Sequence, residues 1–135
     1  MNVEDFKNGQ VLLINKPLNW TSFQVVNKIR WLIKNKFGIK KIKVGHAGTL
    51  DPLATGLLII CTGKMTKRIS SFQNQTKKYT GTFLIGSTTP SFDLETKPNN
   101  TFPVNHINKD LITNATKSFI CLLYTSDAAD DTLWG

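Results

Sequence analysis

The chain has 135 residues, 40% of them apolar, which suits one domain or part of a larger one. Its 17 lysines and arginines outnumber 9 acidic residues, and the net charge of +8 suits a polyanionic partner, a nucleic acid before an anionic membrane surface, with a merely solvated basic surface as an equal alternative. No apolar run reaches the roughly 18 residues of a membrane span, and the N-terminus lacks the layout of a signal peptide, so we expect a cytoplasmic protein without a membrane partner.

The cysteines and histidines do not have the spacing of metal ligands. Cys61 stands in the apolar run 57–61 and is predicted to be a buried thiol. His46 and His106 are far apart in sequence and have no cysteine neighbours. We therefore expect no metal site.

The first third of the chain predicts a strand and then a helix. Residues 10–17, QVLLINKP, form a short apolar run closed by a proline, which is typical of a strand. Thr21 is a helix cap, and Gln24 completes a capping box. Apolar positions with helical spacing follow: Phe23, Val26, Ile29 and Ile33. We predict a helix from about Ser22 to Phe37, with Gly38 as its stop.

The middle of the chain predicts a loop between two ordered segments. Residues 38–52 are interpreted as a loop, and residues 57–61, LLIIC, as a buried strand. Residues 64–74 are predicted to form a short helix with a basic face. Residues 78–86, KYTGTFLIG, alternate between two sets of side chains and predict a half-exposed strand, with Gly81 at a bulge or close approach.

The last third predicts a long loop followed by a helix. Residues 87–105 are rich in turn formers. Leu111, Ala115 and Phe119 stand four apart on a candidate helix that starts at about Lys109. Because strands and helices mix along the chain, the predicted fold class is α+β (mixed α/β).

Asp51 is the most informative carboxylate in the sequence. Gly45 and Gly48 allow the backbone to bend before it, and Pro52 fixes the chain after it. An aspartate held on a stiff turn next to a buried strand is well mounted for catalysis, although an ordinary turn residue that bonds its own backbone is the alternative. The preceding lysines either form a solvated face or steer a phosphate backbone towards the loop: 34, 36, 40, 41 and 43.

Three separated blocks carry a resemblance to a known family. They are VLLINKPLNWTS at 11–22, VGHAGTLDPLATGLLIICTGKMTK at 44–67 and KKYTGTFLIGSTTPSFD at 77–93. In order and spacing they resemble the TruB family of bacterial tRNA pseudouridine synthases, and GHAGTLDPLATG is similar to the signature around that family's catalytic aspartate. The resemblance covers about residues 10–120.

The resemblance implies a fold, a reaction and a partner. The fold is a pseudouridine-synthase-type catalytic domain with a mainly antiparallel central sheet flanked by helices and loops. The reaction converts the T-loop uridine at position 55 of tRNA to pseudouridine, with Asp51 as the covalent nucleophile and with no cofactor and no metal. The partner is the T arm of tRNA, and we expect a monomer.

The resemblance also implies residues that contact the RNA. Tyr79 falls on the family tyrosine that packs on the flipped base, with an ordinary core tyrosine as the alternative. His46 matches a histidine that contacts the RNA near that base, with a loop-ordering histidine as the alternative. Lys16 and Pro17 are expected to shape the floor of the pocket. The remaining substrate-binding candidates lie in the signature: Gly48, Thr49 and Leu50.

The chain departs from the family pattern in two turns and at its end. Asn19 and Thr96 stand where the family usually has glycine, and asparagine tolerates the left-handed region. Residues 121–135, CLLYTSDAADDTLWG, hold three acids and no lysine or arginine. We interpret residues 1–120 as the N-terminal part of the catalytic domain and 121–135 as a non-family tail of adapter, vector or misread origin.

Two alternatives to the enzyme stay open at this point. In the family, a basic residue that pairs with the catalytic aspartate follows the segment matched here. A chain without that group is expected to be an inactive truncated fragment. A non-catalytic RNA-binding or RNA-folding module, which uses the same basic surface without needing Asp51, is the second alternative.

Overall fold

A computed structural model of the chain describes residues 2–120. The chain divides into two compact units, Met1–Gly81 and Thr82–Gly135. The predicted tail at 121–135 lies outside the described residues, so the proposed boundary after residue 120 stays a prediction. No helix within residues 2–120 is long and apolar enough to cross a membrane.

The first unit alternates short helices with the strands of one sheet. Its elements, in chain order, are α1 (Val3–Asn8), β1 (Val11–Lys16), α2 (Ser22–Phe37), β2 (Val44–His46), β3 (Gly56–Thr62), a 3₁₀ segment (Gly63–Arg68) and α3 (Ile69–Gln73). The sheet has the order β1–β3–β2 and is antiparallel throughout. The register pairs Ile14 with Leu58 and His46 with Ile60. These features confirm the α+β class and the antiparallel sheet.

The core lies between one face of this sheet and the helices. Leu58, Ile60 and Thr62 of β3 alternate onto that face, and Val44 of β2 lies on it too because it pairs directly with Thr62 across the antiparallel ladder. The helices add buried side chains to the same cluster: Phe6, Val25, Val26 and Ile33. The Phe6 and Phe37 rings lie 5.2 Å apart, centroid to centroid, and join α1 to the end of α2.

Helix α2 begins and ends at the residues that the sequence predicts. The Thr21 hydroxyl accepts from the Gln24 N–H, and the Gln24 side chain accepts from the Thr21 N–H, which completes the capping box. Gly38 ends the helix at φ 64°, in the left-handed region that glycine favours. Phe23 is 64% exposed, however, and Val25 is buried in its place. Val26 and Ile33 are buried and Ile29 packs against the core as the apolar spacing predicts, so only Phe23 of the four predicted positions is wrong.

The second unit carries little regular structure in its described part. The strands β4 (Ser87–Thr88) and β5 (Asn100–Thr101) pair as a two-residue antiparallel ladder, within the segment predicted to be a long loop. A helix, α4, begins at residue 109 and continues to residue 120, the last one described. Asn108 caps it, since its side-chain oxygen accepts from the Leu111 N–H at 2.9 Å. The predicted helix start at Lys109 is confirmed.

Other sequence predictions of structure have mixed outcomes. The strands predicted at 10–17 and 57–61 are β1 and β3, and the short helix predicted at 64–74 is the 3₁₀ segment followed by α3. Cys61 is fully buried, and burial raises the pKa of its thiol, so the prediction of a buried thiol is confirmed. The sequence did not predict α1 or β2, which are only six and three residues long.

The predicted strand at 78–86 is wrong. Residues 78–86 form neither helix nor strand, and the Phe83 side chain is 90% exposed. Alternation specifies which side chains would share a face, but a strand also needs a neighbour to accept and donate its backbone hydrogen bonds. No strand within residues 2–120 pairs with this segment.

Removal of the α2 cap should cost measurable stability. We expect Thr21→Ala to lower the free energy of unfolding by about 1 kcal/mol, because the first turn of α2 loses a side-chain acceptor. Urea unfolding followed by circular dichroism measures this change. Thr80→Ala, at an exposed threonine outside any helix, is the matched control and should change stability by less than about 0.5 kcal/mol. Equal effects of the two substitutions would show that the cap contributes nothing.

Candidate active site

Asp51 lies on the connection between the neighbouring strands β2 and β3. The Ala47 N–H donates to the Ile59 carbonyl at 2.8 Å, which extends the β2–β3 pairing one residue beyond His46. The Ala54 N–H donates to the Asp51 carbonyl at 3.0 Å and closes a turn over Asp51, Pro52 and Leu53. The aspartate therefore sits on a short loop whose two ends are both fixed by the sheet.

The residue before the aspartate is fixed by the start of α2. Ser22, the first residue of that helix, is only 3% exposed. Its hydroxyl donates to the Leu50 carbonyl at 3.1 Å and accepts from the Leu50 N–H at 2.9 Å. The Ser22 hydroxyl thus satisfies both the N–H and the C=O of Leu50, so this residue of the loop needs no strand as a hydrogen-bond partner.

The residue after the aspartate is fixed by the turn that precedes α2. The Asn19 N–H donates to the Pro52 carbonyl at 2.7 Å. Asn19 has φ 63°, so the expectation of a left-handed residue at this departure from the family pattern is confirmed. The Lys16 ammonium reaches the same Pro52 carbonyl at 3.4 Å.

Lys16 lies under this loop and has no exposed surface. Its ammonium also donates to the carbonyls of Pro17 at 2.8 Å and Trp20 at 2.5 Å. Three acceptors match its three donors, so a buried charge is stabilised by carbonyl dipoles. Those bonds connect the end of β1 to the turn before α2 and to the loop that carries Asp51.

His46 orders the glycine turn from the other side. The Nδ1–H of its half-buried ring donates to the Gly48 carbonyl at 2.8 Å. Because a carbonyl only accepts, this bond places the proton on Nδ1 and leaves Nε2 for another partner. Gly48 has φ 104°, a conformation that residues with a Cβ rarely adopt.

A cleft of about 440 Å³ opens beside the loop, within the first unit. The loop lines one side, and the segment after α3, including Tyr79, lines the other. Tyr79 is 70% exposed and therefore not an ordinary core tyrosine. The predicted site residues that line the cleft are Gly48, Thr49, Leu50 and Tyr79.

Four of the predicted site residues do not line the cleft. Asp51 stands between the lining residues Leu50 and Ala54, and its side chain is exposed. The hydrogen bonds around it reach backbone atoms, and none within residues 2–120 uses its carboxylate. His46 and Lys16 bond to backbone carbonyls of the loop, and Pro17 is joined to it only through Lys16.

The cleft is bordered by positive charge. Lys77 and Lys78 line it, and the Lys77 ammonium donates to the carbonyls of Gln73 and Gln75. The lysines that precede the loop are all exposed: 34, 36, 40, 41 and 43. Such an arrangement attracts a phosphate backbone. Within residues 2–120, no three histidine, cysteine or acidic side chains are placed to hold a metal ion.

Sequence reasoning missed Ser22 as a residue of the site. It appeared only as the last letter of the block at 11–22 and as the first residue of a helix. Its partner is 28 positions away, so no local pattern indicates the contact. Asn19 was noticed as a departure, but its bond to Pro52 also depends on a long-range approach.

Comparisons with known proteins agree on one family. The family model described as TruB family pseudouridylate synthase (N terminal domain) matches residues 34–126, which include His46, Asp51 and Tyr79. The tRNA pseudouridine synthase B of Flavobacterium johnsoniae is 63% identical over 121 residues, which are 89% of this chain and 53% of that relative. Those of Phocaeicola vulgatus and Parabacteroides distasonis are 61% and 55% identical over 116 residues, 86% of this chain and 49% of each relative.

The fold and the loop therefore define a pseudouridine-synthase-type domain. The chain belongs to the TruB family of pseudouridylate synthases, and the resemblance seen in its sequence is confirmed. It spans about half the length of the curated relatives it matches.

Replacement of the buried ammonium should destabilise the chain. We expect Lys16→Met to lower the free energy of unfolding by about 2–3 kcal/mol, because the side chain keeps its length but three carbonyls lose a charged donor. Chemical denaturation measures this change. Lys40→Met, at an exposed lysine, is the control and should shift stability by less than about 0.5 kcal/mol. A Lys16→Met chain as stable as the wild type would refute the role of these bonds.

Proposed function

We propose that this chain supplies the nucleophile and part of the RNA-binding cleft of a tRNA pseudouridine synthase that acts on the T-loop uridine at position 55. The observation that carries the proposal is the mounting of Asp51. Hydrogen bonds fix the backbone before and after Asp51. Its carboxylate is exposed beside a basic cleft and makes no hydrogen bond within residues 2–120. The relatives named tRNA pseudouridine synthase B support the same reaction.

The chemistry needs a carboxylate and no external reactant. An ionised aspartate attacks a sugar or base carbon of the uridine and forms a transient covalent bond. The N1–C1′ bond breaks, the uracil turns, and a C5–C1′ bond forms. If the carboxylate attacked C1′ of the sugar, it leaves as the C5–C1′ bond forms; if it attacked a carbon of the base, it leaves afterwards. C5 then loses its proton and N1 gains one. Product and substrate are isomers, so no external reactant is consumed, and the proposal keeps the expectation from the family resemblance that no cofactor and no metal take part.

The cleft suits a base taken out of its stack. A volume of about 440 Å³ lies in the range of small-molecule sites and accommodates one nucleotide base. An extruded base loses stacking worth a few kcal/mol, which an aromatic ring can replace. Tyr79 offers an exposed ring in this cleft and is proposed to stack on the uracil. The lysines at its border are proposed to hold the flanking phosphates.

The loop residues are assigned supporting roles in the proposal. Gly48, Thr49 and Leu50 form the wall that the RNA contacts. His46 presents Nε2, the nitrogen that its bond to Gly48 leaves available, to the RNA. Lys16 and Pro17 support the pocket from beneath the loop. We propose further that the enzyme acts as a monomer on the T arm of tRNA, in the cytoplasm.

Activity is proposed to require a cationic partner for the Asp51 carboxylate. An opposite charge near a carboxylate favours its ionised, nucleophilic form. Within residues 2–120 no cationic side chain is paired with Asp51 through an ion pair or hydrogen bond. Residues 1–120 are proposed to be the N-terminal part of the catalytic domain, and the match to this chain covers about half the length of the relatives. The basic partner is accordingly proposed to come from outside the described residues.

The decisive variant is Asp51→Asn, which keeps the shape of the side chain but removes the nucleophile. We expect it to lower isomerisation by more than about 1,000-fold. A T-arm stem–loop with tritium at C5 of its uridines reports the reaction, since C5 releases its hydrogen to water. Affinity for the same RNA should stay within about threefold, because phosphate contacts dominate it. Asp110→Asn, at an exposed aspartate of α4, is the control for a lost charge.

Turnover by Asp51→Asn at the wild-type rate would refute the nucleophile. An RNA-binding module without chemistry is the second candidate, and the exposed lysines favour it independently of Asp51. Salt-dependent RNA binding, with no tritium release from a chain that also contains the basic partner, would support that candidate.

The proposed stacking on Tyr79 has its own signature. We expect Tyr79→Ala to lower kcat/KM by about 10- to 100-fold, since aromatic–base stacking contributes about 1–3 kcal/mol. Tyr79→Phe keeps the ring and should stay within about threefold on the same grounds. The tritium-release assay measures both. A Phe variant as impaired as the Ala variant would show that the hydroxyl, not the ring, is required.

A further inference from the structure

We propose that Ser22 is a positioning residue for Asp51, and this inference rests on the proposed function. The hydroxyl of Ser22 holds the backbone of Leu50, and Leu50 is covalently followed by the nucleophile. Ser22 therefore acts on the reaction through the loop and does not touch the substrate.

The Ser22 hydroxyl acts both as a donor and as an acceptor towards Leu50. Its single proton goes to the Leu50 carbonyl at 3.1 Å, and a lone pair accepts the Leu50 N–H at 2.9 Å. Because Ser22 is 3% exposed, water competes poorly for either partner. Both backbone groups of the residue before Asp51 are thus oriented by a single buried atom.

The position of that atom is itself well determined. Ser22 is the first residue of α2, and the capping box of Thr21 and Gln24 fixes the start of that helix. Four residues later Val26 is buried in the core, so the first turn is anchored at both ends. Because the start of α2 is fixed against the core, the Ser22 hydroxyl holds Leu50 at a defined position.

The loop is held on its other side by contacts that do not involve Ser22. The Pro52 carbonyl accepts from the Asn19 N–H at 2.7 Å and from the Lys16 ammonium at 3.4 Å. These bonds would keep the loop near the protein without Ser22. Without the hydroxyl, the N–H and the C=O of Leu50 lose their partner. We expect the direction of the following carboxylate to vary as a result.

A direct readout of the contact is hydrogen exchange at the Leu50 amide, followed in the wild-type chain, Ser22→Ala and Ser22→Thr. We expect Ser22→Ala to speed this exchange about fivefold to tenfold, and Ser22→Thr, which keeps a hydroxyl, to restore it. Ser70→Ala removes an exposed hydroxyl of α3 and should leave the Leu50 amide unchanged. Unchanged exchange in Ser22→Ala would overturn the proposal at its first step.

Catalysis provides the second readout. We expect kcat for T-arm isomerisation to fall about 10- to 100-fold in Ser22→Ala, because small displacements of a reacting group have effects of this size. KM for the RNA should stay within about twofold, since the cleft and the lysines remain. Ser22→Thr is expected to recover most of kcat. A loss of folded protein would also lower the apparent kcat at constant KM, so kcat is normalised to the folded fraction measured by circular dichroism. A normalised kcat of Ser22→Ala equal to that of the wild type would overturn the positioning role.

The outcomes separate the two proposals. If Asp51→Asn abolishes turnover and Ser22→Ala retains the wild-type kcat, the nucleophile stands and the positioning role is overturned. If the wild-type chain has no turnover, the proposed function fails for this chain, and Leu50 exchange alone decides whether Ser22 holds the loop. Should Ser22→Thr not fold, as judged by circular dichroism, the comparison of Ser22→Ala with Ser70→Ala still decides.

Discussion

A buried lysine ammonium bonded to backbone carbonyls is the interaction on which the candidate site depends. Lys16 ends β1, has no exposed surface and donates to three carbonyls. Two of these belong to the turn before α2, and the third belongs to Pro52, directly after the nucleophile candidate. A buried charge is tolerated only where its donors are matched, so this ammonium requires the turn and the loop to approach each other. The geometry of the loop follows from that requirement.

The segment from β1 to α2 forms a support for the Asp51 loop. Lys16 and Asn19 hold the residue after the aspartate, and Ser22 holds the residue before it. All of these contacts end on backbone atoms, so they fix the path of the loop and leave its side chains free. This division suits catalysis, since a reacting group should be held still by its backbone and remain accessible to the substrate. It also explains why the opening block and the signature block belong together in one site.

The charge distribution complements this support. The fixed carboxylate stands beside a cleft whose border carries lysines, and further exposed lysines precede the loop. Exposed cations attract phosphates over about a Debye length, which in physiological salt is ~8 Å, whereas the carboxylate acts only at contact. The two functions therefore need different placement. The lysines attract phosphates from flexible side chains at the surface, whereas Asp51 is held on a rigid turn for contact with the substrate.

Local rules in the sequence determined β1, the bounds of α2 and the left-handed turn at Asn19, because caps, apolar runs and φ preferences act within a few residues. The long motif around Asp51 determined the family. Only the tertiary structure decided that Ser22 bonds Leu50, that β2 pairs with β3, and that Phe23 is exposed while Val25 is buried. It also overturned the strand predicted at 78–86. Each of these outcomes depends on a partner distant in sequence, and a local pattern contains no information about whether that partner is in place.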